Sequence, residues 1–242
     1  MTTPAAAGDA LCIIPARGGS KRFPGKNLAP IAGRPLVGQA VHVARESGLF
    51  SAIAVSSDDA AVLAVAREHG ADLALMRDAA LATDRAQVKD VCVSVLEGLV
   101  SQGARYPLFA VLLPTSPLRT AEDLRNAFAV LVETGADCCM SLVECEHPPQ
   151  RAVAITEGLV RPYFGPEYMK PAQALETLYR HDGTVICART DAFLRDRSFY
   201  GMRVAPYLVP RVRAVDVDAP LDLAWAEFLV STGVVSLGRS ER

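Results

Sequence analysis

Short apolar runs alternate with longer amphipathic stretches along most of the chain, and this alternation predicts the layout before any motif is considered. Runs at residues 11–14, 52–56, 73–75 and 108–113 have the length and character of buried strands. Between them, residues 35–47 and 86–99 repeat apolar positions at helical spacing. Pro35 suits a first helical turn and Gly48 a stop. Ser57-Asp58-Asp59 can cap a further helix that ends near His69 and Gly70. Thr120 caps a helix through Glu133, with Glu122 and Asp123 where carboxylates favour the positive end of the peptide dipoles. Strand character returns at 137–143, 184–188 and 203–208. One or two helical turns fall at 191–195, and a closing helix at 219–230. Strands alternating with helices predict an α/β fold, a three-layer sandwich around a mostly parallel sheet.

The alternation fails between residues 144 and 179. That stretch holds several prolines, the aromatic residues Tyr163, Phe164 and Tyr168, Met169, and no long periodic helix. It reads as a lobe inserted into a single domain spanning 10–242. Residues 1–9 are small and polar, without the cationic start and apolar stretch of a signal peptide, and read as a flexible tail.

Composition narrows the partners. Half the residues are apolar, enough for a substantial core in 242 residues. The net charge of −2 gives no reason to expect nucleic acid or an anionic membrane. No apolar run reaches the length of a membrane span. The six cysteines (Cys12, Cys92, Cys138, Cys139, Cys145 and Cys187) fit no zinc spacing and lie mostly in apolar runs. Buried free thiols in a reducing cytoplasm are the ordinary reading.

Charge is concentrated in one place. Directly after the first strand, residues 15–27 hold three glycines, two prolines and the cations Arg17, Lys21, Arg22 and Lys26. Glycine lets backbone N–H groups approach an anion, and the cations add charge. Strand, glycine-rich cationic loop and helix is the general layout of a phosphate site. Neither G-x-x-x-x-G-K-[ST] nor G-x-G-x-x-G is present, so an ATPase loop and a dinucleotide site are both unsupported. Arg17 can grip two phosphate oxygens in a fork, while Lys21 acts as a movable point charge. A second feature lies late in the chain. Val215-Asp216-Val217-Asp218 places two carboxylates on one side of an extended segment. Mg²⁺ typically takes one or two carboxylates together with phosphate oxygens and water, so Asp216 and Asp218 are the candidate metal ligands. Asp218 can equally be the N-cap of the last helix, which leaves Asp216 the sharper claim.

The string I-P-A-R-G-G-S-K-R-x-P-G-K-N at residues 14–27 resembles the signature of the acylneuraminate cytidylyltransferases, the CMP-sialic acid synthetase family. Pro114-Thr115-Ser116-Pro117-Leu118-Arg119 matches that family's P-T-S-P-L-R, and Arg77 through Asp84 resembles its R-P-x-x-L-A-x-D. The resemblance spans about residues 10–230. It implies a Rossmann-like sheet of the nucleotide-diphospho-sugar transferase type. It also implies a reaction in which CMP passes from CTP to the anomeric hydroxyl of an acidic 3-deoxy-2-ulosonic sugar, with Mg²⁺ as cofactor and pyrophosphate released. Nucleotide contacts are then expected from Ala16, Arg17, Gly18, Ser20, Lys21, Lys26, Asn27, Arg77, Asp84, Thr115 and Ser116. Arg17, Lys21 and Asp216 become the catalytic candidates, and Arg119 is read as structural. The lobe becomes a dimerisation element, which makes a homodimer the expected assembly.

The acceptor side departs from that pattern. Leu113 stands where the family usually has Gln, and Ala172 where a basic Arg is usual, with Lys170 the nearest cation. The R-P-N-G segment reads Arg180-His181-Asp182-Gly183. An ionised carboxylate cannot donate a hydrogen bond as the replaced amide can. Leu113, Lys170, Arg180 and Asp182 are therefore the candidate acceptor contacts, and CTP is the firmer expectation, with a related nonulosonic acid or another acidic acceptor open beside sialic acid itself. His181 reads as a pocket-wall residue before an acid–base group. Two alternatives remain at this stage: a 3-deoxy-manno-octulosonate or other acidic-acceptor cytidylyltransferase, and a CTP-binding regulatory protein without turnover.

Overall fold

The computed structural model describes residues 9–83 and 86–237. In chain order, β1 (Ala10–Pro15) leads into the cationic loop, and a small hairpin follows, made of β2 (Pro30–Ile31) and β3 (Arg34–Pro35). Next come α1 (Leu36–Ser47), β4 (Phe50–Ser57), α2 (Ala60–Glu68), β5 (Leu73–Met76) and α3 (Val88–Ser101). β6 (Leu108–Val111), α4 (Ala121–Thr134) and β7 (Cys138–Glu144) continue the alternation. A second hairpin pairs β8 (Val153–Thr156) with β9 (Leu159–Pro162). The chain closes with β10 (Tyr179–Arg189), α5 (Thr190–Asp196), β11 (Val204–Leu208) and α6 (Pro220–Ser231).

Seven strands form one sheet in the order β11-β7-β10-β6-β1-β4-β5. Every pairing is parallel except those of β10, which runs antiparallel to both β6 and β7. The central strands are buried on both faces, as a parallel sheet covered by helices requires. Along β1, Ala10, Cys12 and Ile14 pack with α1, α2 and α4, while Leu11 and Ile13 pack with α3 and α5. On the second face Phe109, Phe193 and Phe199 form one cluster, with Phe193 stacked on Phe199 at 4.6 Å. A smaller core joins α6 to Ile31, Leu36, Leu118 and Val217. The three-layer sandwich expected from periodicity is the fold observed.

Helix ends follow local chemistry. Gly48 and Gly135 close α1 and α4 in the left-handed region, at φ 69° and 61°. The Asp59 carboxylate accepts from Ala61 N at 2.8 Å to start α2. α3 starts two residues later than its apolar pattern suggests, because the Asp90 carboxylate takes Gln87 N at 3.3 Å and sets the first turn there.

Two differences from the sequence reading matter for the site. β10 is eleven residues long rather than five, because its first residues pair with β7 before an irregularity. The 144–179 stretch contains the β8–β9 hairpin. Glu157 (φ 54°) and Gly158 (φ 76°) form its two-residue turn, and both left-handed positions identify it as type I′. Its strands are four residues each and almost wholly exposed, so no buried face left a pattern to read. Among the described residues, no helix is long and apolar enough to cross a membrane.

Candidate active site

The carboxyl ends of β1, β4 and β6 lie side by side, and the segments leaving them enclose a cavity of about 290 Å³. Arg17, Ser20, Lys26 and Asn27 line it from the first loop, Arg77 from the end of β5, Leu113 and Thr115 from beyond β6, and Asp216 and Asp218 from the segment before α6. A larger cavity, about 760 Å³, opens at the other end of β6, beside Tyr106, Pro107 and Thr190. It contains none of the motif residues. Ligands of open α/β sheets bind beyond the carboxyl ends of the strands, which selects the smaller cavity.

The loop is held in shape by its own chain. Ala16 is fully buried, and its amide extends the sheet by donating to Ser56 O at 2.9 Å. Asn27 is buried, and its Nδ2 donates to Arg17 O at 2.7 Å, closing the loop across ten residues. Gly18 N donates to the Asp58 carboxylate at 2.9 Å, and a Cβ on Gly18 would stand 2.7 Å from that of Asp59. Close approach of β4's trailing residues therefore requires glycine there. Asp58 was expected only as a helix cap. Its side chain instead ties the loop to the end of β4, and the D-D pair was the available signal. Lys21 is exposed on the loop and lies outside the cavity lining.

Arg77 reaches back to β4, donating to Ser56 O at 2.6 Å and to Ser56 Oγ at 3.3 Å. Burial lowers its pKa, against the pull of Asp58. The neighbouring candidate Asp84 lies outside the described residues.

The two carboxylates flank the buried Val217, whose amide donates to Thr115 O at 2.7 Å. Asp218 accepts from Lys26 Nζ at 3.0 Å and Arg22 Nη2 at 2.8 Å. Burial alone would raise its pKa. The hydrogen bond and charge of Lys26, with those of Arg22, outweigh burial and hold Asp218 below the ordinary carboxylate range. Asp218 does not cap α6. Asp222 does that, accepting from Asp218 N at 2.9 Å and Ala219 N at 2.7 Å. Asp216 is exposed to the cavity, with no ion pair among the described residues. No group of three or more His, Cys, Asp or Glu side chains converges among the described residues. A divalent ion here would take Asp216, with Asp218 beside it, and complete its shell from phosphate oxygens and water.

What anchors this segment was not anticipated. Arg213 pairs with the buried Asp123 at the start of α4, and Tyr207 Oη donates to the other Asp123 oxygen at 2.8 Å. Asp123 also accepts from Thr120 N at 2.8 Å. Burial would raise Asp123, but Arg213, Thr120 and Tyr207 together hold it below its ordinary value.

On the acceptor side the candidates scatter. Leu113 lines the cavity. Ser116, expected as a nucleotide contact, is instead buried outside the cavity lining and donates to Asp182 O at 3.3 Å. Asp182 is itself 3% exposed, and its carboxylate accepts from the Thr184 hydroxyl and from Thr184 N at 3.3 Å. Arg119 is fully buried and donates to Leu113 O and to Gly183 O at 3.3 Å, a structural role as expected. Arg180 is exposed and, among the described residues, donates to His181 O at 3.4 Å. Lys170 pairs with Glu167 at 2.6 Å, outside the cavity. Burial pulls the His181 ring below its ordinary value, against the charges of Asp182 and Asp216.

Comparisons with known proteins bear on the fold and the family. One family profile, described as cytidylyltransferase, matches residues 11–217. The chain is 32% identical over 220 residues to the pseudaminic acid cytidylyltransferase of Campylobacter jejuni, covering 90% of this chain and 95% of that one. It is 30% identical over 228 residues to the CMP-N,N'-diacetyllegionaminic acid synthase of Legionella pneumophila, covering 91% and 95%. A solved structure titled as CMP:2-keto-3-deoxy-manno-octonic acid synthetase complexed with CTP superposes with a TM-score of 0.69 at 18% identity, over 93% of this chain and all of that one. At that identity the superposition speaks for the fold.

Proposed function

This chain belongs to the cytidylyltransferase family, and on that premise we propose that it transfers CMP from CTP to the anomeric hydroxyl of a nonulosonic acid, releasing pyrophosphate. The observation that carries the reading is the convergence of Arg17, Lys26 and Arg77 with Asp216 and Asp218 in one cavity. Arg17 and Arg77 offset part of the charge of a triphosphate, Lys26 lies beside them paired with Asp218, and Asp216 is the carboxylate open to its counter-ion. Arg17 grips phosphate oxygens, with Lys21 swinging in from the exposed loop. Arg77 and Thr115 face the nucleotide. Asp216 would hold the metal, and its cavity-facing carboxylate would take the proton of the attacking anomeric hydroxyl. Mg²⁺ bound at Asp216 would supply charge stabilisation on the phosphate oxygens.

The relatives named above carry nonulosonic acids in their own names, and this chain covers nearly the whole of each. Leu113 suits such an acceptor, since it puts an apolar wall where an amide would select a hydrogen-bonding partner. The reading includes a homodimer, for which the exposed apolar side chains of the lobe are the support. Ile155, Leu159, Val160, Tyr163 and Met169 are all exposed on it, and a second copy would cover them. The reading places the reaction in the cytoplasm, consistent with six unbridged cysteines.

The test is pyrophosphate release with Mg²⁺, each of the four NTPs being paired with a panel of 2-ulosonic acids. Release with CTP and a nonulosonic acid is expected. Release only with an octulosonic acid, or tight CTP binding without turnover on any acid, overturns the acceptor assignment. Sedimentation of the intact chain at micromolar concentration is expected to give twice the 25.8 kDa chain mass.

A further inference from the structure

We propose that Arg22 couples nucleotide to metal in this site: it competes with the divalent ion for one oxygen of Asp218, and a bound triphosphate draws it off and leaves that oxygen to the ion. The inference rests on the cytidylyltransferase reading above and deepens it by saying how the second carboxylate becomes available.

Occupancy makes the first argument. Asp218 lines the nucleotide cavity, yet each of its oxygens already meets a cation. Oδ1 accepts from Lys26 Nζ at 3.0 Å and Oδ2 from Arg22 Nη2 at 2.8 Å. A divalent ion at the same oxygen would stand against that positive charge at close range, where repulsion is strongest. The ion therefore gains Asp218 only where one of the two cations leaves.

The second argument decides which one leaves. Lys26 is fixed: its side chain is 12% exposed, and it opens the turn Lys26–Leu28, whose buried Asn27 donates to Arg17 O at 2.7 Å. Arg22 has no such anchorage. Its side chain is 73% exposed, and it lies outside every helix and strand. An exposed ion pair holds weakly, so Arg22 is the one that yields.

The third argument is what Arg22 gains. The same loop supplies Arg17, Ser20 and Lys26 to the cavity, and the Arg22 guanidinium stands at hydrogen-bond distance from a carboxylate of the cavity wall. Turning this one side chain carries it to phosphate oxygens lying between Arg17 and Lys26, with the backbone unmoved. On Asp218 it makes a one-point contact, because Lys26 holds the other oxygen. A phosphate offers two oxygens to the guanidinium fork, which is the stronger arrangement. Coupling of this kind is reciprocal, so metal and nucleotide each tighten the other.

The test measures each ligand alone. Mn²⁺ binding to the chain without nucleotide is read from the EPR signal of the free ion, and CTP binding without metal by calorimetry in EDTA. Arg22→Ala is expected to tighten Mn²⁺ roughly threefold and to weaken CTP about tenfold or more. A merely structural role would weaken both. In an Asp218→Asn background, Arg22→Ala is expected to leave Mn²⁺ affinity unaltered, which separates the latch from the general effect of removing a charge. Unchanged or weaker Mn²⁺ binding in Arg22→Ala overturns the proposal. So does an unchanged CTP affinity, or a gain in Mn²⁺ affinity that persists in the Asp218→Asn background. If Arg22→Ala fails to fold, Arg22→Gln decides by the same criteria. Failure of the underlying reading looks different: an unaltered chain that binds no CTP, or Mn²⁺ binding untouched by Asp216→Asn, overturns the nucleotide or metal assignment and this inference with it.

Discussion

The nucleotide half of the site and its acceptor half are built differently. The nucleotide half is closed by its own chain: Asn27 seals the loop, Asp58 ties it to β4, and Lys26 reaches Asp218 with its side chain only 12% exposed. The acceptor half is open. Neither Arg180 nor Lys170 lines the cavity, and the lobe shows apolar side chains to water. A half completed by its own chain is rigid before ligand arrives and suits a common nucleotide. A half left incomplete gains its order from a second copy or from the sugar, and there a few substitutions can change the acceptor without disturbing CTP.

The comparison breaks most easily at Asp216. Asp216→Ala is expected to lower turnover on the order of 10³-fold or more while sparing CTP affinity, read by pyrophosphate release and calorimetry. Equal loss of both would move Asp216 from transition-state stabilisation to ground-state binding. Next in size is the clamp that carries it. Arg213→Ala leaves the Asp123 carboxylate buried without its cation, and should lower unfolding free energy by about 3 kcal/mol in urea.

Acid should strike the same half. Asp123 and Asp218 both sit below the ordinary value of 3.8 in the folded chain. Their contribution is therefore complete above that value and is lost as pH falls through the lower folded values. Urea melts from pH 7 down to 2.5 should show a loss below about pH 4 that Arg213→Ala reduces. Stability that rises on acidification across that range would contradict the clamp. The smallest effect belongs to the acceptor side. Glu157→Asn relieves a left-handed position in a type I′ turn and should add about 0.5 kcal/mol with kcat unchanged.

Resemblance and periodicity together made the nucleotide half legible. Arg17, Ser20, Lys26, Asn27, Arg77, Thr115, Asp216 and Asp218 were singled out from local strings, and all line one cavity. Local strings served because the loops of Arg17, Arg77 and Thr115 leave directly from strand ends, and within each string sequence neighbours remain spatial neighbours. Asp182 shows the opposite case. Its replacement of an amide looked like a change of sugar contact, yet the carboxylate turns inward to Thr184, two residues on. A bulge of three extra residues decides that direction, and register between β10 and β7 is a non-local property.

By itself the amino-acid sequence determined the layer architecture, the parallel core strands and the cationic loop, because apolar alternation and glycine placement are local and act through burial and backbone freedom. Only the tertiary structure decided the antiparallel course of β10, the Asp123–Arg213 anchor joining residues ninety apart, and the hold of Lys26 and Arg22 on Asp218. Those depend on which side chains meet after the sheet closes, and whether a buried polar atom finds a partner is settled only by that packing.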